Sequence, residues 1–219
     1  MLRLALQRRG FVLQSLVMNL EMLIIFVKAP RPGAVKTRLA KSLGEQAACD
    51  AYQKLAEILF NRVAELPNVV LRFTPDNAAA EIKPWLRNNW LMRPQGQGSL
   101  GERLQAAFAE AFSQGAQRVV IIGSDCPSVT AQDVKAAWSA LARNDVVIGP
   151  ARDGGYWLLG LNQSQPRLFD NIPWSTATVL RETLARAKDA GLRATLLREL
   201  NDVDDEADWR DFLSRNQKA

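Results

Sequence analysis

Apolar residues along this chain form short continuous runs that alternate with helical spacings. Residues 22–27, MLIIFV, are apolar throughout, as expected of a strand that is buried on both faces of a sheet. In residues 45–66 the apolar positions recur every three or four residues, which is typical of an amphipathic helix. Residues 119–122 predict another buried strand. The alternation predicts a single α/β domain whose mostly parallel sheet is flanked by helices.

The same pattern assigns the remaining elements. Further strands are predicted at residues 69–73, 145–149, 155–161 and 192–197. Further helices are predicted at residues 78–90 with an interruption at Pro84, and at residues 101–114, 130–143, 175–190 and 206–215. Thr130 and Ser175 are the expected N-caps of two of these helices, because a hydroxyl can accept a hydrogen bond from a free amide of the first turn.

Residues 1–21 do not fit this pattern. The apolar stretch at residues 11–17 is interrupted by Gln14 and Ser15, and it is too short and too polar to span a membrane. It also lacks the small-residue cleavage site of a secretory signal. We therefore predict that residues 1–21 are a dispensable extension, with a short amphipathic surface helix as the alternative, and that the folded domain spans residues 22–215.

Composition narrows the chemistry that the chain can perform. The 219 residues include no histidine, which excludes Ser-His-Asp and Cys-His catalysis and His-based zinc sites. Cys49 and Cys126 form no CxxC pair, which indicates reduced thiols and a cytoplasmic location. The net charge of +5 suits an anionic small molecule and is too mild for a nucleic-acid partner. Catalysis must therefore depend on carboxylates, lysines or arginines, backbone amides and a bound metal.

An acidic residue follows the apolar run at residues 119–122. In an open α/β sheet, ligands bind at the carboxyl ends of the strands. Asp125 lies at such an end, and the small residues Gly123 and Ser124 permit close approach to it. The carboxylate is therefore a candidate ligand for a divalent metal. A purely structural turn is the alternative interpretation.

The loop after the first strand is basic and contains two prolines. Its sequence, APRPGAVKTR at residues 29–38, precedes a helix, so its backbone N–H groups are placed to face an anion. Arg31, Lys36 and Arg38 add positive charge. GAVKT is not a Walker A motif, since that motif requires a glycine directly before the lysine. We expect the loop to bind phosphate, with a solvated basic turn as the alternative.

Three glycines match the GxGxxG pattern letter for letter. Gly96, Gly98 and Gly101 precede a predicted helix, as in a dinucleotide-binding fingerprint. That fingerprint also needs a strand before it and an acid at the end of the next strand. Pro94 makes the preceding segment a poor central strand, and the following strand contains no acid. An NAD site is disfavoured, and the open alternatives are a flexible loop that contacts the nucleotide and a plain helix-start turn.

The segment RDGGYW at residues 152–157 has two interpretations. Asp-Gly-Gly is favourable turn chemistry and predicts a tight turn between two strands. The functional interpretation places Asp153 and Tyr156 at the rim of a pocket. Trp157 and Trp174 are candidate platforms for a sugar, with partial burial in the core as the alternative.

A cluster of acids follows the last predicted strand. Residues 201–208, NDVDDEAD, contain five carboxylates, which exceeds what capping the next helix requires. The structural interpretation is nevertheless an acidic cluster that caps the N-terminus of the next helix. The functional one is that Asp204 supplies a second ligand to a metal held by Asp125. Oxygen ligands without His or Cys favour Mg²⁺ or Mn²⁺.

Four motifs occur in order along residues 22–209, namely LIIFVKAPRPGAVKTRLA, GSDCP, DGGYWLLG and DVDDEADW. Together they resemble the bacterial GT-A-type transferases assigned to arsenosugar biosynthesis, the rSAM/selenodomain-associated glycosyltransferases. That family is related to the nucleotidyltransferases that make molybdopterin dinucleotide and activated phospholactate. The resemblance implies a single-domain GT-A fold, that of the nucleotide-diphospho-sugar transferases, with the nucleotide over the first strand.

The resemblance also implies roles for individual residues. The nucleotide-binding residues that it suggests are Ala29, Pro30, Gly33, Lys36, Arg38, Gly96, Gly98, Gly101 and Ser124. Asp125 matches the first metal-binding acid of the family, and Asp204 matches an acid of the closing motif. This chain has DEAD where related nucleotidyltransferases have TPED, so Asp202 and Asp204 are alternatives for the second metal ligand.

These features predict a metal-dependent transferase that uses a nucleotide-activated donor and a small-molecule acceptor. The main expectation is glycosyl transfer from an NDP-sugar, with Asp153 removing the acceptor proton. The alternative is nucleotidyl transfer from an NTP with release of pyrophosphate, which needs no base because the attacking phosphate is already anionic. A non-catalytic nucleotide-binding module is a third possibility. In both reactions Asp125 holds the metal while Lys36 and Arg38 contact phosphate oxygens.

Replacing Asp125 with alanine tests the metal assignment. We expect Asp125→Ala to abolish metal-dependent turnover and to fold normally, because the residue follows a strand and does not belong to an apolar run. Turnover at increasing Mg²⁺ and thermal unfolding by circular dichroism measure the two effects. Full activity in the folded variant would contradict the assignment.

Overall fold

A single sheet of seven strands organises the computed structural model, which describes residues 21–87 and 89–216. The strands are β1 (Glu21–Lys28), β2 (Val69–Thr74), β3 (Leu91–Pro94), β4 (Arg118–Gly123), β5 (Val146–Pro150), β6 (Tyr156–Leu161) and β7 (Ala194–Leu196). Their order across the sheet is β3-β2-β1-β4-β6-β5-β7. The strand β6 runs antiparallel to β4 and β5, and the other neighbouring strands pair in parallel. The predicted α/β fold is confirmed.

Helices cover both faces of the sheet. They are α1 (Thr37–Leu43), α2 (Glu45–Val63), α3 (Ala79–Ile82), α4 (Leu100–Ser113), α5 (Ala131–Ala140), α6 (Val179–Asp189) and α7 (Glu206–Asn216), with 3-10 turns at Lys83–Trp85 and Pro166–Phe169. One face packs against α2 and α5 around Phe60 and Trp138. The opposite face packs against α4 and α6 around Phe108 and Ala187. Burial on both faces explains why the central strands are continuous apolar runs.

The strands predicted from the sequence lie within two residues of the observed bounds, but the pattern does not predict β3. Pro94 argues against a central strand, and β3 is in fact an edge strand that pairs with β2 alone, where a missing N–H is tolerated. The helix predicted at residues 78–90 is wrong beyond its first turn. Pro84 lies in a 3-10 turn there, because proline cannot donate within a continuing helix.

The two predicted N-caps have different outcomes. Thr130 is confirmed, since its Oγ1 accepts a hydrogen bond from the Asp133 amide at 3.3 Å and Asp133 reciprocates. Ser175 is wrong as a cap: it has a φ of +64°, and α6 begins only after Thr178. Residues 175–178 instead form an irregular segment that contributes to the site described below.

The predicted extension lies almost entirely outside the described residues. Residues 1–20 are not described, whereas Glu21 is the first residue of β1 and pairs with Arg118 at 3.1 Å. In the part of the chain that the structure describes, no helix has both the length and the apolar character needed to cross a membrane.

Several loops converge at one edge of the sheet, the one formed by the carboxyl ends of the strands β1 and β4. The parallel strands β1 and β4 end side by side, with Phe26 opposite Gly123. The antiparallel strand β6 begins at the same edge, with Leu158 opposite Ile122. The segment before α7 also reaches this edge, because the Val203 amide donates to the Asp125 carbonyl at 3.2 Å. This convergence brings distant parts of the sequence into one site.

Candidate active site

A buried lysine joins two carboxylates at this edge. Lys36 Nζ lies 2.7 Å from Asp125 Oδ1 and 3.2 Å from Asp204 Oδ1. Only 3% of the Lys36 side chain is exposed, against 44% for Asp125 and 37% for Asp204. Burial by itself lowers the pKa of Lys36, but attraction by the two carboxylates outweighs it and raises that pKa. The ammonium is therefore held between acids whose other oxygens remain accessible.

The backbone of Lys36 is unusual. The residue precedes α1 and has φ 48° and ψ 44°, the left-handed conformation that non-glycine residues rarely adopt. Such conformations persist where surrounding contacts over-determine them, and they cluster at functional sites. The two ion pairs supply those contacts here. Arg38 lies in the first turn of α1, with its guanidinium 3.7 Å from the Asp204 carboxylate. Its side chain is 71% exposed, so it is loosely held.

A third acid adjoins this cluster. Burial, with repulsion from Asp125 and Asp204, raises the pKa of the Asp202 carboxyl to about 7. Burial and the nearby Asp202 likewise raise the pKa of the Cys126 thiol to about 12, so this cysteine is not an activated nucleophile. The acids at this edge carry more negative charge than Lys36 alone neutralises.

The donor set fits a hard divalent cation. Asp125 and Asp204 already place carboxylate oxygens around one cationic atom, Lys36 Nζ. Mg²⁺ is commonly bound by one or two carboxylates, with substrate phosphates and water completing the shell. Within residues 21–87 and 89–216, no three His, Cys, Asp or Glu side chains form a complete metal group. A substrate would therefore have to supply part of the coordination.

The cluster opens into a cavity of about 660 Å³. The charged or hydroxyl-bearing residues that line it are Lys28, Lys36, Thr37, Arg38, Tyr52, Asp125, Asp153, Tyr156, Ser175, Thr176, Asp202 and Asp204. Its apolar part is lined by Phe26, Leu100, Leu104, Ile121, Leu159, Trp174 and Val179. A cavity of this size is in the range that buries most of a small-molecule ligand.

Tyr52 of α2 connects the first loop with the Asp125 turn. Its hydroxyl accepts a hydrogen bond from the Lys28 amide at 2.9 Å and lies 3.0 Å from Ser124 Oγ. The residue is 2% exposed, and burial raises the pKa of the phenol above its ordinary value. Sequence reasoning places Tyr52 among the apolar positions of a helix and misses this role, because one hydroxyl does not alter the periodicity.

The Asp-Gly-Gly turn packs against the segment before α6. Gly154 has a φ of +86°, and a Cβ there would lie 2.0 Å from the Ala177 carbonyl oxygen. The Gly154 carbonyl in turn accepts a hydrogen bond from the Leu180 amide at 2.9 Å. Asp153 lies at the cavity rim, and its Oδ1 accepts from the Gly155 amide at 2.9 Å. Tight-turn chemistry and a position at the rim therefore occur together.

The glycine-rich segment begins a helix and does not line the cavity through its glycines. Ser99 caps α4 in a reciprocal pair with Glu102, and the Gly96 amide donates to Asp76 at 3.2 Å. Gly98 has a φ of +100°, which glycine tolerates. Gly101 is needed for packing, since a Cβ there would lie 2.5 Å from Trp174 Nε1. The three glycines are not among the residues that line the cavity, so their predicted contact with a nucleotide stays a prediction.

The other residues expected to bind nucleotide differ in position. Ala29 is 2% exposed and Ser124 is 3% exposed, so both are buried behind the cavity. Pro30 and Gly33 lie in the loop between β1 and α1, away from the cavity lining. The loop reaches the cavity through its basic side chains, Lys36 and Arg38.

The fold is that of a GT-A-type transferase. A solved structure from Desulfovibrio desulfuricans G20, assigned as a nucleotide-diphospho-sugar transferase, superposes with a TM-score of 0.86. It is 33% identical and covers 92% of this chain and 90% of its own. A nucleotidyl transferase from Methanothermobacter shares the fold at 13% identity and a TM-score of 0.55, over 90% of this chain and 98% of that one.

The chain belongs to the family described as "Uncharacterized protein conserved in bacteria (DUF2064)", whose model matches residues 61–176. A curated relative, phosphoenolpyruvate guanylyltransferase of Chloroflexus aggregans, is 28% identical over 212 residues. The match covers 90% of this chain and all of that relative. The protein is therefore an enzyme of the transferase class, which removes the non-catalytic module from consideration.

The variant Tyr52→Phe tests whether the phenol positions the site. It keeps the buried ring but leaves the Lys28 amide and the Ser124 hydroxyl without their partner. We expect turnover to fall about tenfold or more, with a higher Mg²⁺ requirement, because the phenol supports Ser124, the residue that directly precedes Asp125, and hydrogen bonds behind a site contribute on this scale. Metal titrations of the folded variant measure both effects. Wild-type turnover and metal dependence would show that the phenol is only structural.

Proposed function

We propose that this enzyme is a metal-dependent nucleotidyltransferase. It transfers a nucleotidyl group from a nucleoside triphosphate to a phosphorylated small molecule and releases pyrophosphate. The proposal rests on Lys36, an ammonium held between Asp125 and Asp204 where the strands β1 and β4 end. This arrangement combines a cation for phosphate oxygens with carboxylates for a metal. The full-length relative named phosphoenolpyruvate guanylyltransferase supports this reaction and makes GTP the first donor to test.

In this mechanism the chain binds and orients two phosphorylated substrates. Lys36 and Arg38 contact the phosphate oxygens of the donor, and the structure supports both roles by placing them along the cavity. Asp125 and Asp204 would hold Mg²⁺ or Mn²⁺, with Asp202 adjacent. When bound, such an ion neutralises charge on the phosphates of the donor.

The transfer itself balances without a general base. An oxygen of the acceptor phosphate forms a bond to the α-phosphorus as the bond to the β-phosphate bridging oxygen breaks, and pyrophosphate leaves. The attacking oxygen is already anionic, so no proton has to be removed. A chain that contains no histidine is suited to this route.

Glycosyl transfer is the second candidate, and Asp153 is the observation that favours it. This carboxylate lies at the cavity rim, where it would remove a proton from an acceptor hydroxyl. One of its oxygens already accepts a hydrogen bond from Gly155, which leaves the other for catalysis. The arsenosugar-biosynthesis glycosyltransferases that the sequence motifs resemble correspond to this alternative.

Product identity separates the two reactions. We expect release of pyrophosphate, together with a nucleotide–acceptor adduct, when the enzyme is incubated with Mg²⁺, an NTP and a panel of phosphate monoesters that includes phosphoenolpyruvate. Coupled pyrophosphate detection and mass spectrometry measure the two products, and Asp125→Ala controls for contaminating activity. Acceptor-dependent release of a nucleoside diphosphate from an NDP-sugar, without pyrophosphate from any NTP, would establish glycosyl transfer instead.

The substitution Asp204→Asn tests the second metal ligand against a matched neighbour. We expect it to raise the Mn²⁺ or Mg²⁺ concentration for half-maximal turnover at least about tenfold, because it removes one charged ligand. Asp205→Asn is the control, since Asp205 is exposed, its carboxylate accepts from the Asp208 amide at 3.0 Å, and asparagine also caps helices well. Equal metal dependence in the two variants would transfer the ligand role away from Asp204.

A further inference from the structure

The cavity extends beyond the charged cluster along the sheet, between α4 and α6. The apolar wall consists of the side chains of Phe26, Leu100, Leu104, Ile121, Leu159, Trp174 and Val179. They come from β1, α4, β4, β6, α6 and the segment before α6. None of them has a role in handling phosphate or metal.

Part of this wall is hydrophobic surface that the protein itself does not cover. Leu104, Ile121 and Leu159 are at most 6% exposed and form the base. Phe26 and Leu100 are only partly buried, although they pack against the same core. Covering such surface with an apolar ligand is favourable, because the ligand removes the apolar surface from contact with water.

Trp174, another member of this wall, is held in position by its neighbours. Its ring packs edge-to-face on Tyr156, with centroids 6.4 Å apart and an angle of 85° between the rings. It also approaches Gly101 so closely that no Cβ would fit between them. The indole is therefore a rigid aromatic surface facing the cavity, and such surfaces contribute large contact area at low entropic cost.

The wall is poor in hydrogen-bonding groups. Of its seven side chains, only Trp174 carries a polar atom, the indole nitrogen. The hydroxyls of Tyr156, Ser175 and Thr176 belong to the lining of the same cavity, and the Thr176 hydroxyl already donates to the Pro173 carbonyl at 2.7 Å. A nucleobase in contact with these seven side chains alone would lose hydrogen bonds to water without equivalent replacement, which is costly. The wall suits a hydrocarbon or aromatic group instead.

We infer that this wall binds an apolar group of the acceptor, so that the acceptor is a phosphate monoester carrying a bulky hydrophobic substituent. The inference rests on the proposed nucleotidyl transfer, since it assigns the charged cluster to the acceptor phosphate as well as to the donor. The continuous cavity places the two parts side by side. Such an acceptor differs from phosphoenolpyruvate, which has no comparable apolar group.

Direct binding tests this inference without requiring turnover. We expect 1-naphthyl phosphate to bind the enzyme, with Mg²⁺ and without NTP, at least about tenfold more tightly than phosphoenolpyruvate, because filling a hydrophobic pocket contributes on this scale. Isothermal titration calorimetry measures both affinities. Guanosine serves as the competitor that reports whether a nucleobase occupies the same wall.

Two cavity variants and one surface control locate the preference. Leu100→Trp fills the cavity and is expected to remove the preference for 1-naphthyl phosphate, whereas Leu196→Trp makes the same change at a leucine that is 50% exposed on β7 and should retain it. Trp174→Ala removes the aromatic side of the wall and should also weaken the preference. Trp174 is only partly buried, so this variant keeps the test available if Leu100→Trp does not fold.

The possible results separate this inference from the proposed function. Equal affinities in the wild type, a preference that survives in the folded cavity variants, or competition by guanosine would overturn the assignment of the wall. Pyrophosphate release from small polar acceptors together with any of these results leaves nucleotidyl transfer standing. A clear naphthyl preference with no pyrophosphate from any NTP and any acceptor would instead refute the proposed reaction and retain the hydrophobic site.

Discussion

The ion pairs of Lys36 hold together parts of the chain that are far apart in sequence. Asp125 follows the central strand β4 and Asp204 precedes the last helix, and their carboxylates would repel each other without a cation between them. Lys36 is itself the left-handed residue that directly precedes α1. The first loop, the central turn and the closing segment are thus held in register by one buried charge.

This arrangement suits the reaction that we propose, because each charged group can exchange its present partner for a group of the substrates or for the metal ion. Donor phosphates would attract Lys36 while a divalent ion takes up the carboxylates, so each charged group keeps an opposite partner. The backbone around these groups is held by hydrogen bonds, since Val203 is hydrogen-bonded to Asp125 and the phenol of Tyr52 links Lys28 with Ser124. Groups fixed in advance in this way are effective at stabilising charge during a reaction.

The sequence predicts those features that depend on local pattern. The central strands are recognisable because burial on both faces makes them continuously apolar, and Asp125 and Lys36 stand out because they follow such strands. Contacts between distant residues are not visible in that pattern. Gly101 matches a nucleotide fingerprint by its letters, yet its neighbour is Trp174. The hydrogen bonds of Tyr52 and the incompletely covered wall near Leu100 likewise follow from tertiary packing, which helical spacing alone does not report.

The contact between Gly154 and Ala177 leaves no free space between the turn that carries Asp153 and the segment that carries Trp174. The two are also joined by the hydrogen bond from Leu180 to Gly154. Asp153 and Trp174 are therefore carried by two segments that are packed and hydrogen-bonded to each other. The acidic rim and the aromatic side of the cavity depend on the same contact, so a larger side chain at Gly154 would disturb both.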